Sequence, residues 1–142
     1  MINDSRADLY EYLYDLFKNV FSENVYAVSV PQTLTNDDIK NGFLVITVGS
    51  ITDSSEFSRE AYGWVRCHVQ AFIPPLTRGR LDYDKLGKME IGINDVIRSA
   101  SAVRDGSYHI SEENILSSDV LETRNSDNMF HSFIKSFILN IN

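Results

Sequence analysis

Hydrophobic and polar side chains repeat with different periods along this chain, most regularly over residues 62–74, YGWVRCHVQAFIP. Val65, Cys67, Val69, Ala71 and Ile73 fall on one parity; Trp64, Arg66, His68 and Gln70 fall on the other. A period of two sustained this far predicts a central antiparallel strand with one face on a core and one facing water or a partner. Pro74 and Pro75 offer no N–H to a ladder and end it. Residues 5–21 repeat instead at helical spacing. Leu9, Leu13, Leu16, Phe17 and Val20 make one apolar stripe, with Asp4 or Ser5 placed to cap the free N–H groups. Tyr10, Tyr12 and Tyr14 ride on the same helix and cannot all share that stripe, so some lie on its flanks.

Between these two elements, residues 25–30 predict a short strand closed by Pro31. Residues 32–42 form a polar, turn-rich loop in which Asn41-Gly42 is the strongest hairpin or turn signal. The apolar run 43–48, FLVITV, predicts a strand covered on both faces, pairing with the central strand as an antiparallel hairpin with a long polar tip. After the prolines, Asp82 is a fair N-cap for a second helix running to about residue 103, its buried face being Leu86, Met89, Ile93, Val96, Ile97 and Ala100. Gly87 and Gly92 each cost that helix up to about 1 kcal/mol against alanine, so close approach to a neighbouring element is expected there. Asp105-Gly106 supplies a stop. Short strands follow at 107–111 and 120–124, separated by a polar stretch. Residues 125–128 make a turn, and 129–141 form a last strand that is apolar on both parities toward its end. The order predicts a single α+β domain over 1–142, a mostly antiparallel sheet or sandwich with two main helices packed on one face.

Composition narrows the classes. The 142 residues suffice for one core without staples, and 43% hydrophobic with 23% charged residues excludes a disordered chain. No apolar run is long enough to span a membrane, and the first residues lack the basic and apolar regions of a signal peptide, so the chain is expected to stay where it is made. Cys67 lies on the apolar parity and reads as a buried, inert thiol. A formal charge of −7 opposes sequence-specific or general nucleic-acid binding. The small basic group Arg78, Arg80, Lys85 and Lys88 is largely cancelled by Asp82, Asp84 and Glu90.

Chemistry-bearing patterns are scarce. There is no G-x-G-x-x-G, P-loop, H-E-x-x-H or C-x-x-C. His68, His109 and His131 are scattered over strand positions without a carboxylate pattern and read as structural rather than metal-ligating. Asp37-Asp38 and Glu112-Glu113 are adjacent acids in polar segments, where a solvated surface is the default, and Ser54-Ser55 and Ser117-Ser118 have no base nearby in sequence. No catalytic, cofactor or metal residue is assigned, and the chain is expected not to be an enzyme.

One resemblance organises the rest. The helix ADLYEYLYDLF, the hairpin ending in AYGWVRCHVQAF, the helix LDYDKLGKMEIGINDVIRS and the closing strands YHI, VLETR and FHSFIKSFILNI together resemble the tail terminator, or tail completion, proteins of long-tailed bacteriophages. The likeness spans most of the chain and is one of pattern and size. It implies a virion subunit assembled in the host cytoplasm: a homo-oligomer, expected to be a hexameric ring, that caps the tail tube, ends its growth and meets a head-completion or connector protein. The tail-tube contacts expected on that basis lie in loops 32–42 and 50–60, at Asp37, Asp38, Lys40, Asp53, Glu56 and Arg59. Subunit contacts are expected at Tyr10, Tyr14, Trp64, Phe133 and Phe137. The alternatives are another phage neck or connector protein, or a small cytoplasmic binding module or enzyme. A deep pocket joining His68 or His109 to a carboxylate would favour an enzyme, whereas a flat surface with apolar patches would favour the ring.

Overall fold

In the computed structural model, residues 5–53, 63–102, 108–125 and 127–141 are described, and three helices and seven strands lie among them. The strands are β1 (Asn24–Ala27), β2 (Phe43–Val48), β3 (Thr52–Asp53), β4 (Gly63–Ile73), β5 (Tyr108–Ser117), β6 (Leu121–Asn125) and β7 (Asn128–Ile141). They build one sheet in the order β1-β2-β4-β7-β5, with β3 also on β4 and β6 also on β7. The helices are α1 (Arg6–Lys18), α2 (Asn36–Asn41) and α3 (Tyr83–Ala102). This is an α+β fold with a mostly antiparallel sheet.

The 62–74 pattern forms the middle of that sheet. β4 pairs with β2 on one side and with almost the whole of β7 on the other, from Gly63 opposite Ile141 to Ile73 opposite His131. Paired residues project to the same side. Val65, Cys67, Val69, Ala71 and Ile73 therefore share an inner face with Phe133, Phe137, Leu139 and Ile141 of β7 and with Leu44, Ile46 and Val48 of β2, all of them buried. Helix α1 lays Leu9, Leu13 and Phe17 on this face, and α3 adds Met89, Ile93, Val96, Ile97 and Ala100. Each Val, Leu, Ile, Met or Phe among them contributes about 1.5–3 kcal/mol of burial, which makes this layer the main source of stability. Burial also pushes the Cys67 thiol up to about 12, so it stays protonated and unreactive. Among the described residues of this layer Lys135 is a charged intruder, 7% exposed, whose Nζ lies 3.3 Å from Glu90 Oε2 on α3.

Several expectations are revised. The 32–42 segment is no simple loop: Thr35 accepts from Asp38 N while the Asp38 carboxylate accepts from Thr35 N, a reciprocal cap that starts α2. Asn41-Gly42 closes that helix rather than a hairpin, and β1 runs parallel to β2, as a strand–helix–strand crossover demands. Gly42 is required there, with φ of 86° and a would-be Cβ 2.3 Å from Phe72 O. The polar stretch after Ser111 belongs to β5, which absorbs it as a shift of register between Ser111 and Leu116. On α3, Asp82 Oδ1 accepts from Lys85 N as expected of the cap. Gly92 meets its expected close neighbour, with Phe21 Cζ 2.7 Å from a would-be Cβ, whereas Gly87 faces open space. The expected stop at Asp105-Gly106 and most of the polar tip lie outside the described residues.

Candidate interaction surface

The polar parity of β4 forms the other face of the sheet. Trp64, Arg66, His68 and Gln70 stand opposite Asn140, Ile138, Ser136 and Ile134 of β7, with Thr47 of β2 beside His68. Beyond β7, Leu116 of β5 sits opposite Ser136 and Leu121 of β6 opposite Ser132, adding two leucines that are 57% and 62% exposed. Short polar links tie the strands together: His68 Nδ1 and Ser136 Oγ are 2.7 Å apart, and Gln70 Nε2 donates to Ser132 Oγ at 3.2 Å. Burial first, then the Arg66 charge, lowers the His68 pKa from its ordinary value and favours a neutral imidazole. A serine and a histidine in contact are the beginnings of a nucleophile and base, but among the described hydrogen bonds no carboxylate orients this ring. The pair sits on an open sheet face and serves as a cross-strand bond.

Among the described residues this outer face is closed at one end. Phe43 stacks on Phe72 with centroids 4.5 Å apart, Phe130 meets both edge-on, and Val45, Tyr26, Val30 and Leu34 complete a second, smaller apolar cluster. Its anchor is Asp38, fully buried, which accepts from Tyr26 OH at 2.6 Å, Asn24 Nδ2 at 2.7 Å and Thr35 N at 3.0 Å. Burial pushes the Asp38 carboxyl up, yet the hydrogen bonds from Tyr26, Asn24 and Thr35 together outweigh it and hold the pKa below the ordinary value. Burial and the same acid push Tyr26 up to about 12.

The residues expected to make contacts thus scatter. Trp64 is on the outer face and 38% exposed, and Tyr14 is 39% exposed on α1. Tyr10 is half-buried, its OH accepting from Val48 N at 3.0 Å. Phe133 and Phe137 are not at a lateral surface: both are buried on the inner face by this chain's own helices. Asp37 and Lys40 are exposed on α2, Asp37 accepting from Asn41 Nδ2 at 2.6 Å. Asp38, their neighbour, is an interior anchor and no surface contact. Asp53 lies in β3 opposite Gly63, and Glu56 and Arg59 lie outside the described residues.

The three histidines do not converge. His68 is on the outer face, His131 is in the inner row opposite Ile73, and His109 Nε2 lies 3.0 Å from Ser101 O of α3. No group of three or more His, Cys, Asp or Glu with metal-binding geometry occurs among the described residues. The described hollows are shallow, about 220–290 Å³, and three of them ring Lys85, which is itself paired with Glu23. Sequence reasoning missed the Asp38 anchor, although the T-x-x-D spacing of Thr35 and Asp38 is a recognisable cap signature. No protein-family model matches this chain, and no curated protein sequence matches it.

Proposed function

We propose that this chain is a structural subunit of a phage tail, which assembles with copies of itself into a ring that caps the tail tube and ends its growth. The observation that carries this reading is the outer sheet face. Among the described residues no second layer covers it beyond the Phe43 cluster, although Trp64, Ile134, Ile138, Leu116 and Leu121 all stand on it. A long, partly apolar sheet surface of this kind is what a neighbouring subunit covers. The resemblance of element order to tail terminators supplies the identity of the ring and its partners, the tube protein below and a head-completion or connector protein above. Asp37 and Lys40 on the exposed side of α2 remain suited to the tube contact; Asp38 does not, since withdrawing it would leave Tyr26 OH and Asn24 unpaired.

Native mass spectrometry and negative-stain electron microscopy of the purified chain test the ring, with six-membered particles expected. Adding the chain to growing tubes of the tail-tube protein from the same genome tests the cap: growth should stop and one tube end should carry extra density. Tubes that lengthen unchanged, with no density at either end, would remove the reading.

A further inference from the structure

One atom on the outer face breaks the rule that buried polar groups are paired. Arg66 Nη1 is shielded from solvent and has no hydrogen-bond partner among the described residues. A guanidinium is always charged and presents its donors in a planar fork shaped for a carboxylate, so a donor stranded in this way marks a place where an acceptor is missing. Arg66 enters none of the ion pairs among the described residues. Among the described residues its immediate neighbours are Trp64, His68 and Ile138 on the face and Gly49 across from it, and none of them is an acid. An incoming group that fits must bring a carboxylate flanked by apolar side chains.

The chain carries such a group itself. At the corner joining β5 to β6, Asp119 is exposed and its carboxylate makes no described hydrogen bond or ion pair, while Leu116, Val120 and Leu121 around it are 57%, 39% and 62% exposed. Glu122, the next acid, falls on the other parity, opposite His131. Within one copy the corner cannot reach Arg66, because β7 lies between β4 and the β5–β6 edge. The Arg66 cation beside a tryptophan complements the acidic, leucine-rich corner in both charge and polarity.

We propose that a second copy of this chain covers the outer face by its β5–β6 corner, with the Asp119 carboxylate of one copy accepting from the Arg66 guanidinium of the next, and Leu116 and Leu121 packing on Trp64 and Ile138. Arg66 and the Asp119 corner are different patches, so the contact either repeats head to tail and closes around a ring or is made twice, reciprocally, in a two-fold pair, and the particle size decides which. This rests on the self-assembly reading above and names its contact.

The test is charge reversal followed by a swap, read by native mass spectrometry and sedimentation velocity, with circular dichroism to establish folding. Arg66→Asp and Asp119→Arg should each weaken association about thirtyfold or more, and the double variant Arg66→Asp/Asp119→Arg should restore most of it. Asp119 is exposed in a connection, so its variant folds even if Arg66→Asp does not, and Arg66→Met serves as a second probe of the face. Assembly unchanged in both Asp119→Arg and Arg66→Met overturns this contact and leaves the ring standing. A dimer that is lost on reversal and recovered by the swap upholds the contact and removes the ring. A wild-type chain that stays monomeric at every concentration overturns the contact.

Discussion

The two faces of β4 and β7 are made by the same strands yet obey different rules. On the inner face every β4 side chain from Val65 to Ile73 is buried, and Phe133, Phe137, Leu139 and Ile141 of β7 are sealed beneath α1 and α3. On the outer face the same strands carry Trp64, Arg66, His68 and Gln70, half-buried or exposed, with a stranded guanidinium nitrogen among them. Among the described residues the two long helices both pack on the inner side. The difference shows where stability resides and where recognition is possible: inner residues hold the fold, and outer ones are free to meet something else.

The contrast can be tested at four places, in descending size of effect. Phe137→Ala empties a position with 0% exposure at the centre of the inner face and should cost about 4 kcal/mol in urea unfolding. A loss below 1 kcal/mol would mean that the helices do not pack as described. Asp38→Asn, at the closed end of the outer face, should cost about 2 kcal/mol at neutral pH, since two short hydrogen bonds to a carboxylate are weakened. Because the Asp38 pKa is lowered in the fold, its stabilisation is present above the ordinary 3.8 and is lost as pH falls through the folded value. Tyr26 runs the opposite way: raised to about 12, it stabilises below the ordinary 10.0 and loses that contribution as pH rises through about 12. The difference between wild type and Asp38→Asn should therefore shrink in acid, and a difference constant down to pH 2 would contradict the network.

The third test uses two glycines of one helix. Gly92→Ala must displace Phe21 and should destabilise by about 1 kcal/mol despite the gain in helix propensity, whereas Gly87→Ala should stabilise by up to about 1 kcal/mol. Thermal melts that shift the same way for both would remove the argument for tight helix–core contact at Gly92. Least affected is Trp64→Ala, expected within about 0.5 kcal/mol when measured on dilute monomer, as befits an exposed outer-face side chain. A loss comparable to that of Phe137→Ala would abolish the distinction between the faces.

Much of this was legible beforehand in local pattern. The parity of 62–74 named the five inner side chains of β4, and the helical stripes named the buried faces of α1 and α3 with only Leu16, Val20 and Leu86 outside the fully buried set. Illegible were the features that depend on which element lies over which. Phe133 and Phe137 read as candidates for a subunit contact because a strand pattern shows which residues share a face without showing what covers it. Helix α2 is too short to display a stripe, so the parallel pairing of β1 with β2 went unseen, and with it the burial of Asp38.

The sequence by itself determined period, parity and the positions of chain reversal, because these follow from backbone geometry and solvation acting within a few residues. Only the tertiary structure decided that an aspartate in a polar stretch is the anchor of a buried network, and that an arginine in a strand is left with a donor facing no acceptor among the described residues. Those outcomes depend on groups distant in the chain being brought within 3 Å of one another, or being kept apart, and local pattern carries no record of either.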